Sequence, residues 1–172
     1  SDHDSNARAF KLLAGTLAVV PAWCALGLIH ASQPNGHQWL LLALLLVWSA
    51  DTGAYFAGRR FGGKFFARKL APRISPNKTI EGLLGGLLLA LAVAIAGALL
   101  IGARGGQLPA IGVVALATVL FSVVGDLFES LLKRHVGAKD SGDLIPGHGG
   151  VLDRVDSVLA ALPVFALGKA WL

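Results

Sequence analysis

Five apolar stretches limit what this chain can become. They cover Phe10–His30, Gln38–Gly58, Ile80–Ile101, Leu108–Leu132 and Val151–Leu172. Each is about 21 to 25 residues long, and a helix needs roughly 20 to cross the hydrocarbon core of a bilayer. No water is present there to satisfy the backbone, so each stretch is predicted to be helical. Hydrophobic residues make up 55% of the chain and charged residues 15%, against roughly a quarter charged in soluble domains. The predicted fold class is all-α integral membrane, with about five transmembrane helices joined in part by two basic cytosolic loops.

The connecting segments carry that topology. Ala31–His37 has no Lys or Arg, and Ala103–Gln107 has only Arg104. Between Arg59 and Thr79 lie Arg59, Arg60, Lys64, Arg68, Lys69, Arg73 and Lys78, and Lys133–Gly150 adds Lys133, Arg134 and Lys139. Basic loops stay on the cytosolic side, so the two long loops are expected inside and the two short ones outside. The polar residues at the start are expected to form a flexible tail over residues 1–9, followed by a transmembrane catalytic region over 10–172. The chain starts at Ser1 and has no methionine, so it is expected to be a piece or processed form of a longer protein. Cys24, the single cysteine, is expected to be a small buried apolar residue. No Cys/His spacing suggests a zinc site, and nothing supports a nucleic-acid role.

Ionisable groups inside membrane spans are costly and by default mark function. Asp51 interrupts the second span, Asp126 and Glu129 the fourth, and Asp153, Arg154 and Asp156 open the fifth. Asp126 lies two turns before the cytosolic end of its helix, roughly 9 Å deep at 1.5 Å per residue. Asp51 lies at a similar depth, and Asp153 enters from the same side, so three helices should present carboxylates at one level. Asp126, Glu129, Ser130 and Lys133 share one helix face, as do Asp153 and Asp156. Structural ion pairs, such as Asp126 with Arg154, are one reading. Oxygen ligation of Mg²⁺ together with substrate phosphates is the other.

Two loops extend the pattern. Lys139–Gly150 is glycine-rich and feeds a helix start, where N–H groups favour anions, with His148 at phosphate or base. In Ser75-Pro76-Asn77-Lys78-Thr79, Ser75 or Asn77 is expected to cap the next helix, and Lys78 to contact phosphate, since the helix dipole gives a cation nothing there. Gly82 and Gly86, with Gly85 beside them, predict close helix packing. Gly58–Lys64 has P-loop glycine spacing, but Phe65 stands where a magnesium-binding hydroxyl is needed and the stretch follows an apolar helix, so it is rejected as one.

Ser130-Leu131-Leu132-Lys133-Arg134, Lys139-Asp140-Ser141-Gly142, Pro146-Gly147-His148-Gly149-Gly150 and Asp153-Arg154-Val155-Asp156 together resemble the signature of CDP-diacylglycerol synthases, the phosphatidate cytidylyltransferases. Asp51–Tyr55 and Ser75–Thr79 are similar to two further motifs of that family. The resemblance implies transfer of the cytidylyl group of CTP to phosphatidate, giving CDP-diacylglycerol and pyrophosphate. It implies Mg²⁺ on Asp126 and Asp153, an accompanying K⁺, and catalytic roles for Lys133, Asp126, Asp153, Lys139, Asp140 and Arg154. Substrate contacts are expected from Ser75, Asn77, Lys78, Thr79, His148, Gly149, Gly150, Asp51 and Asp156. Also implied are a multi-pass place in the inner (cytoplasmic) membrane with the site facing the cytosol, a homodimer in the full-length family, and further N-terminal spans that this chain does not contain. A CTP-dependent polyprenol or phytol kinase is a second reading. An ion or phosphate transporter is a third, but the charges cluster at one leaflet and no inverted repeat is apparent.

Overall fold

The computed structural model describes residues 2–66, 68–135 and 152–172, with side chains for all of these except 2–12, 14, 135 and 152–154. Five α-helices appear among them: α1 (Asp2–Ala31), α2 (Gly36–Phe61), α3 (Ile80–Ile101), α4 (Leu108–His135) and α5 (Leu152–Lys169). A short antiparallel hairpin of β1 (Lys69–Ala71) and β2 (Ser75–Thr79) sits between α2 and α3. The described residues Gly36–Phe61, Ile80–Ile101 and Gly105–Arg134 are long and apolar enough to cross a membrane, and α1 carries a shorter apolar stretch over Gly15–Ala31. The chain is an all-α, multi-pass membrane protein with one small hairpin.

Small residues set the packing. Along α3, Ala90, Ala94 and Ala98 recur every fourth position and are buried with Leu42, Ala43, Leu46 and Ala50 of α2. The expected glycine contact is present in this same seam. A Cβ on Gly85 would stand 2.2 Å from the Ala57 Cβ, one on Gly86 2.7 Å from the Ala50 carbonyl oxygen, and one on Gly53 2.6 Å from the Gly85 carbonyl oxygen. Backbones this close leave no room for a side chain, and close backbone packing is what holds helices together where lipid is as apolar as leucine. The α4–α5 seam repeats the device, with a Cβ on Gly125 falling 2.5 Å from the Ala160 Cβ. Buried Thr118 and Ser122 donate to the Val114 and Val119 carbonyls at 2.7 and 2.8 Å, so neither hydroxyl is stranded in the core.

Four expectations change. The helix α1 continues back to Asp2, where an irregular tail was expected; Ala7, Arg8 and Ala9 are good helix formers and extend it. Cys24 is exposed on α1, not buried, because a helix in lipid can be apolar all round and its outward face needs no polar residue. The second basic-loop motif is a strand, Ser75–Thr79, and not a loop. Neither Ser75 nor Asn77 caps α3. Thr79 does, its Oγ1 accepting from the Gly82 N–H at 3.0 Å. With Ser75 and Asn77 drawn into the ladder, Thr79 is the last extended residue before the helix and the one whose hydroxyl reaches the first free N–H groups. The rejected P-loop look-alike is the end of α2, followed by a turn.

Candidate functional site

The site is assembled by the two glycine seams. On α2, Ala50 and Gly53 are turned toward α3 and buried. Asp51 therefore points away from that seam, toward α4 and α5. On α4, Gly125 lets the α5 backbone approach at Asp156 and Ala160, and the next residue, Asp126, faces the same space. The result is a cavity of about 260 Å³ lined by Val47, Trp48, Asp51, Asp126, Asp156, Ser157 and Val158. Asp51 and Asp126, two of the three carboxylates expected to converge, line this cavity together; the α5 carboxylate beside them is Asp156, and the side chain of Asp153, the third one expected, lies outside the described residues.

The hairpin supplies a cation. Lys78 Nζ pairs with Asp126 Oδ2, the two side chains 26% and 33% exposed. An ion pair at Asp126 was one sequence reading with Arg154 as its partner; the described partner is Lys78. Ser130 donates to Asp126 Oδ1 at 3.4 Å, so both oxygens of this carboxylate are oriented. Asp51 lies within electrostatic reach of Asp126, Asp156 and Lys78. Lys78 thus stands near both Asp51 and Asp126, and Asp156 lines the first cavity with those two carboxylates.

A second and larger cavity, about 610 Å³, opens from the same carboxylates between α2, α3, α4 and the hairpin. Asp51, Asp126, Lys78, Ser75, Asn77 and Thr79 line its polar part, and Ala50, Ala54, Leu70, Leu83, Val119 and Val123 its apolar wall. That volume falls within the roughly 300–1,000 Å³ of small-molecule pockets. Tyr55 and Arg59 also line it, joined by a 2.8 Å hydrogen bond from Arg59 Nη1 to the Tyr55 hydroxyl. From the sequence, Tyr55 belongs only to the stretch that resembles a family motif and Arg59 is expected at lipid headgroups; their pairing across one helical turn, just after Asp51, adds both to the wall of this cavity.

Glu129 and Lys133 are not among the residues lining either cavity. They face each other at 3.6 Å across one turn of α4, and Glu129 is buried. Asp153 and Arg154 fall in the first turn of α5, but their side chains lie outside the described residues. So do Lys139, Asp140, His148, Gly149 and Gly150. Among the described residues no three His, Cys, Asp or Glu side chains are grouped closely enough to hold a metal by themselves. The donors present are carboxylate oxygens, the kind Mg²⁺ takes, and Mg²⁺ typically binds one or two of them and completes its shell with water and phosphate. Asp126 with Asp153 fits that pattern in donor type.

Comparison with known proteins decides the family. The family model described as "Cytidylyltransferase family" matches residues 3–170. The chain belongs to the cytidylyltransferase family. Among its relatives, a phosphatidate cytidylyltransferase of Pseudomonas aeruginosa is 48% identical over 156 residues, covering 91% of this chain and 56% of the relative. One from Haemophilus influenzae is 51% identical over 132 residues, covering 74% of this chain and 44% of the relative. One from Staphylococcus aureus is 43% identical over 135 residues, covering 78% and 50%. This cytidylyltransferase chain therefore spans about half the length of the curated relatives it matches.

Proposed function

We propose that the full-length protein transfers the cytidylyl group of CTP to phosphatidate, releasing pyrophosphate and leaving CDP-diacylglycerol in the membrane. The observation that carries this reading is that Asp51 and Asp126 line two cavities at once, one completed by Asp156 and the other, with an apolar wall, by Lys78. A lipid phosphate and a nucleotide phosphate are both polyanions: Lys78 offers them a positive contact, the carboxylates a place for the cation that would screen them, and the apolar wall a surface for the lipid. Membership of the cytidylyltransferase family supports the same chemistry.

In this mechanism a phosphatidate oxygen attacks the α-phosphorus of CTP in line with the leaving pyrophosphate. A phosphomonoester has its second pKa near about 6, so the nucleophile is mostly dianionic at neutral pH and no dedicated base is needed. Lys78, freed from Asp126, stabilises phosphate charge that builds in the transition state. Lys133, Lys139 and Arg154 act on the triphosphate and the leaving pyrophosphate, Asp140 supports them, and His148, Gly149 and Gly150 shape the loop that receives phosphate. Ser75 and Asn77 offer polar contacts from the hairpin, while Thr79 holds the start of α3. Asp126 and Asp153 would hold Mg²⁺, with K⁺ accompanying it; bound there, the metal neutralises phosphate charge and orients both substrates. We further place the site on the cytosolic face of the inner membrane and take the full-length protein as a homodimer.

The test supplies radiolabelled CTP, phosphatidate and Mg²⁺ to the full-length protein in micelles. Label in a CDP-lipid is the expected result; label from the γ-phosphate in a lipid monophosphate would instead identify a kinase. Sidedness is tested by placing a cysteine at Arg68 in a Cys24→Ala background. An impermeant thiol reagent added outside intact cells should leave it unlabelled, and efficient labelling would put the basic hairpin on the wrong side for CTP.

A further inference from the structure

Glu81 takes no part in the carboxylate cluster, yet it is only 6% exposed. It lies in the first turn of α3, where the helix dipole favours an acid. Its Oε1 accepts from two backbone N–H groups of the chain leaving α2, those of Phe65 at 3.2 Å and Phe66 at 3.0 Å. Its Oε2 is buried with no hydrogen-bond partner among the described residues. Burying a carboxylate is costly, so the contact is informative about what it holds.

What it holds is the base of the hairpin. β1 begins at Lys69 and pairs with Thr79 across the ladder, and Thr79 in turn caps α3 at Gly82. Glu81 thus ties the segment before β1 to the helix after β2, so that both ends of the hairpin are fixed to the start of α3. The register between the strands is irregular, and two short strands alone are marginal. Lys78, three residues before Glu81, is the hairpin residue that reaches Asp126. We propose that Glu81 is a positioning residue: it clamps the hairpin so that Lys78 is delivered to Asp126 and to substrate phosphate. The inference rests on the reading of Lys78 as a phosphate contact in cytidylyl transfer.

The test uses the full-length protein in micelles with Glu81→Ala and Glu81→Gln, each alone and combined with Lys78→Ala. Amide hydrogen exchange reads the hairpin independently of any reaction. Glu81→Ala is expected to speed exchange across residues 63–66 and 69–79 by about tenfold, through local opening after two buried hydrogen bonds are lost. Exchange in the cores of α2 and α4 should stay as in the wild type, and Glu81→Gln, which keeps an acceptor oxygen, should fall between. Turnover should drop about tenfold in Glu81→Ala but less than about twofold when Lys78 is already alanine, since the two act as one unit. Unchanged exchange over 69–79 would overturn the proposal, as would an undiminished loss of turnover on the Lys78→Ala background. If Glu81→Ala does not fold, Glu81→Gln carries the same comparison. If the wild type makes no CDP-lipid, the proposed reaction fails, while the exchange result still decides whether Glu81 clamps the hairpin.

Discussion

Helix α2 has two faces that do opposite things. Gly53 and Ala57 meet α3 with no room to spare, and Ala50, whose carbonyl lies against Gly86, stands at the border between that seam and the larger cavity. Trp48, Asp51 and Tyr55 line the two cavities instead. The sealed face contains no charge, and the open face carries Asp51 toward Asp126 and Asp156. The difference shows how a membrane protein can keep carboxylates within an apolar bundle. One seam is packed with small residues until it is rigid, and that rigidity aims the charged residues of the same helix at their partners on α4, α5 and the hairpin.

Breaking the sealed face should have the largest effect on the protein as a whole. Gly85→Val places side-chain atoms where Ala57 already stands, and overpacking of this kind costs about 1–3 kcal/mol or more. Thermal unfolding in micelles should show a clear drop in Tm, and activity should fall with it. An unchanged Tm would mean that α2 and α3 are not held this closely.

Breaking the open face should separate activity from stability. Lys78→Ala removes the cation from Asp126, but the pair is part-exposed, so its stability effect is expected to stay below about 1 kcal/mol. Turnover of CTP should fall about a hundredfold, the scale of losing one preorganised electrostatic contact in a transition state. A large loss of Tm with turnover per folded molecule intact would make Lys78 a structural residue.

The rim of the open face should be the mildest place to intervene. Tyr55→Phe removes only the hydroxyl that accepts from Arg59. At an exposed position this should change stability by less than about 0.5 kcal/mol and leave turnover within about threefold of wild type. A loss of tenfold or more at fixed Tm, with KM for phosphatidate raised, would move the Tyr55–Arg59 pair from the rim into the lipid headgroup site.

Much of this was legible in the residues because the bilayer is a strict solvent. Apolar runs of the spanning length mark the helices, and the glycines at 82, 85 and 86 mark a close-packed face of α3, while its partner, α2, is known only from the fold. Asp51 and Asp126 were read as converging from their depth alone, and Asp156 joins them in the cavity. The hairpin was not legible. Its strands are short, carry Pro76 and two lysines, Lys69 and Lys78, and show no alternation of apolar residues; Glu81 binds the segment before them and Thr79 caps the helix after them. The partner of Asp126 was missed for a related reason: Lys78 is 48 residues away in the chain, and only the folded hairpin brings it close. Cys24 was misplaced because apolar pattern separates inside from outside in water but not in lipid, where both sides of α1 are apolar. The segment from Lys139 to Gly150, which carries much of the family signature, lies outside the described residues.

The decisive experiment concerns Asp126, where α4, the hairpin and the proposed metal meet. Asp126→Asn keeps the size and hydrogen-bonding shape of the side chain and removes its charge. The full-length variant should be assayed with labelled CTP and phosphatidate at saturating Mg²⁺, so that weakened metal affinity is not mistaken for lost chemistry, and its Tm measured in the same micelles. The expected result is formation of CDP-lipid reduced by at least about a hundredfold, with Tm close to that of the wild type. Product formation within about tenfold of wild type, in a folded variant, would contradict a catalytic role for the carboxylate cluster.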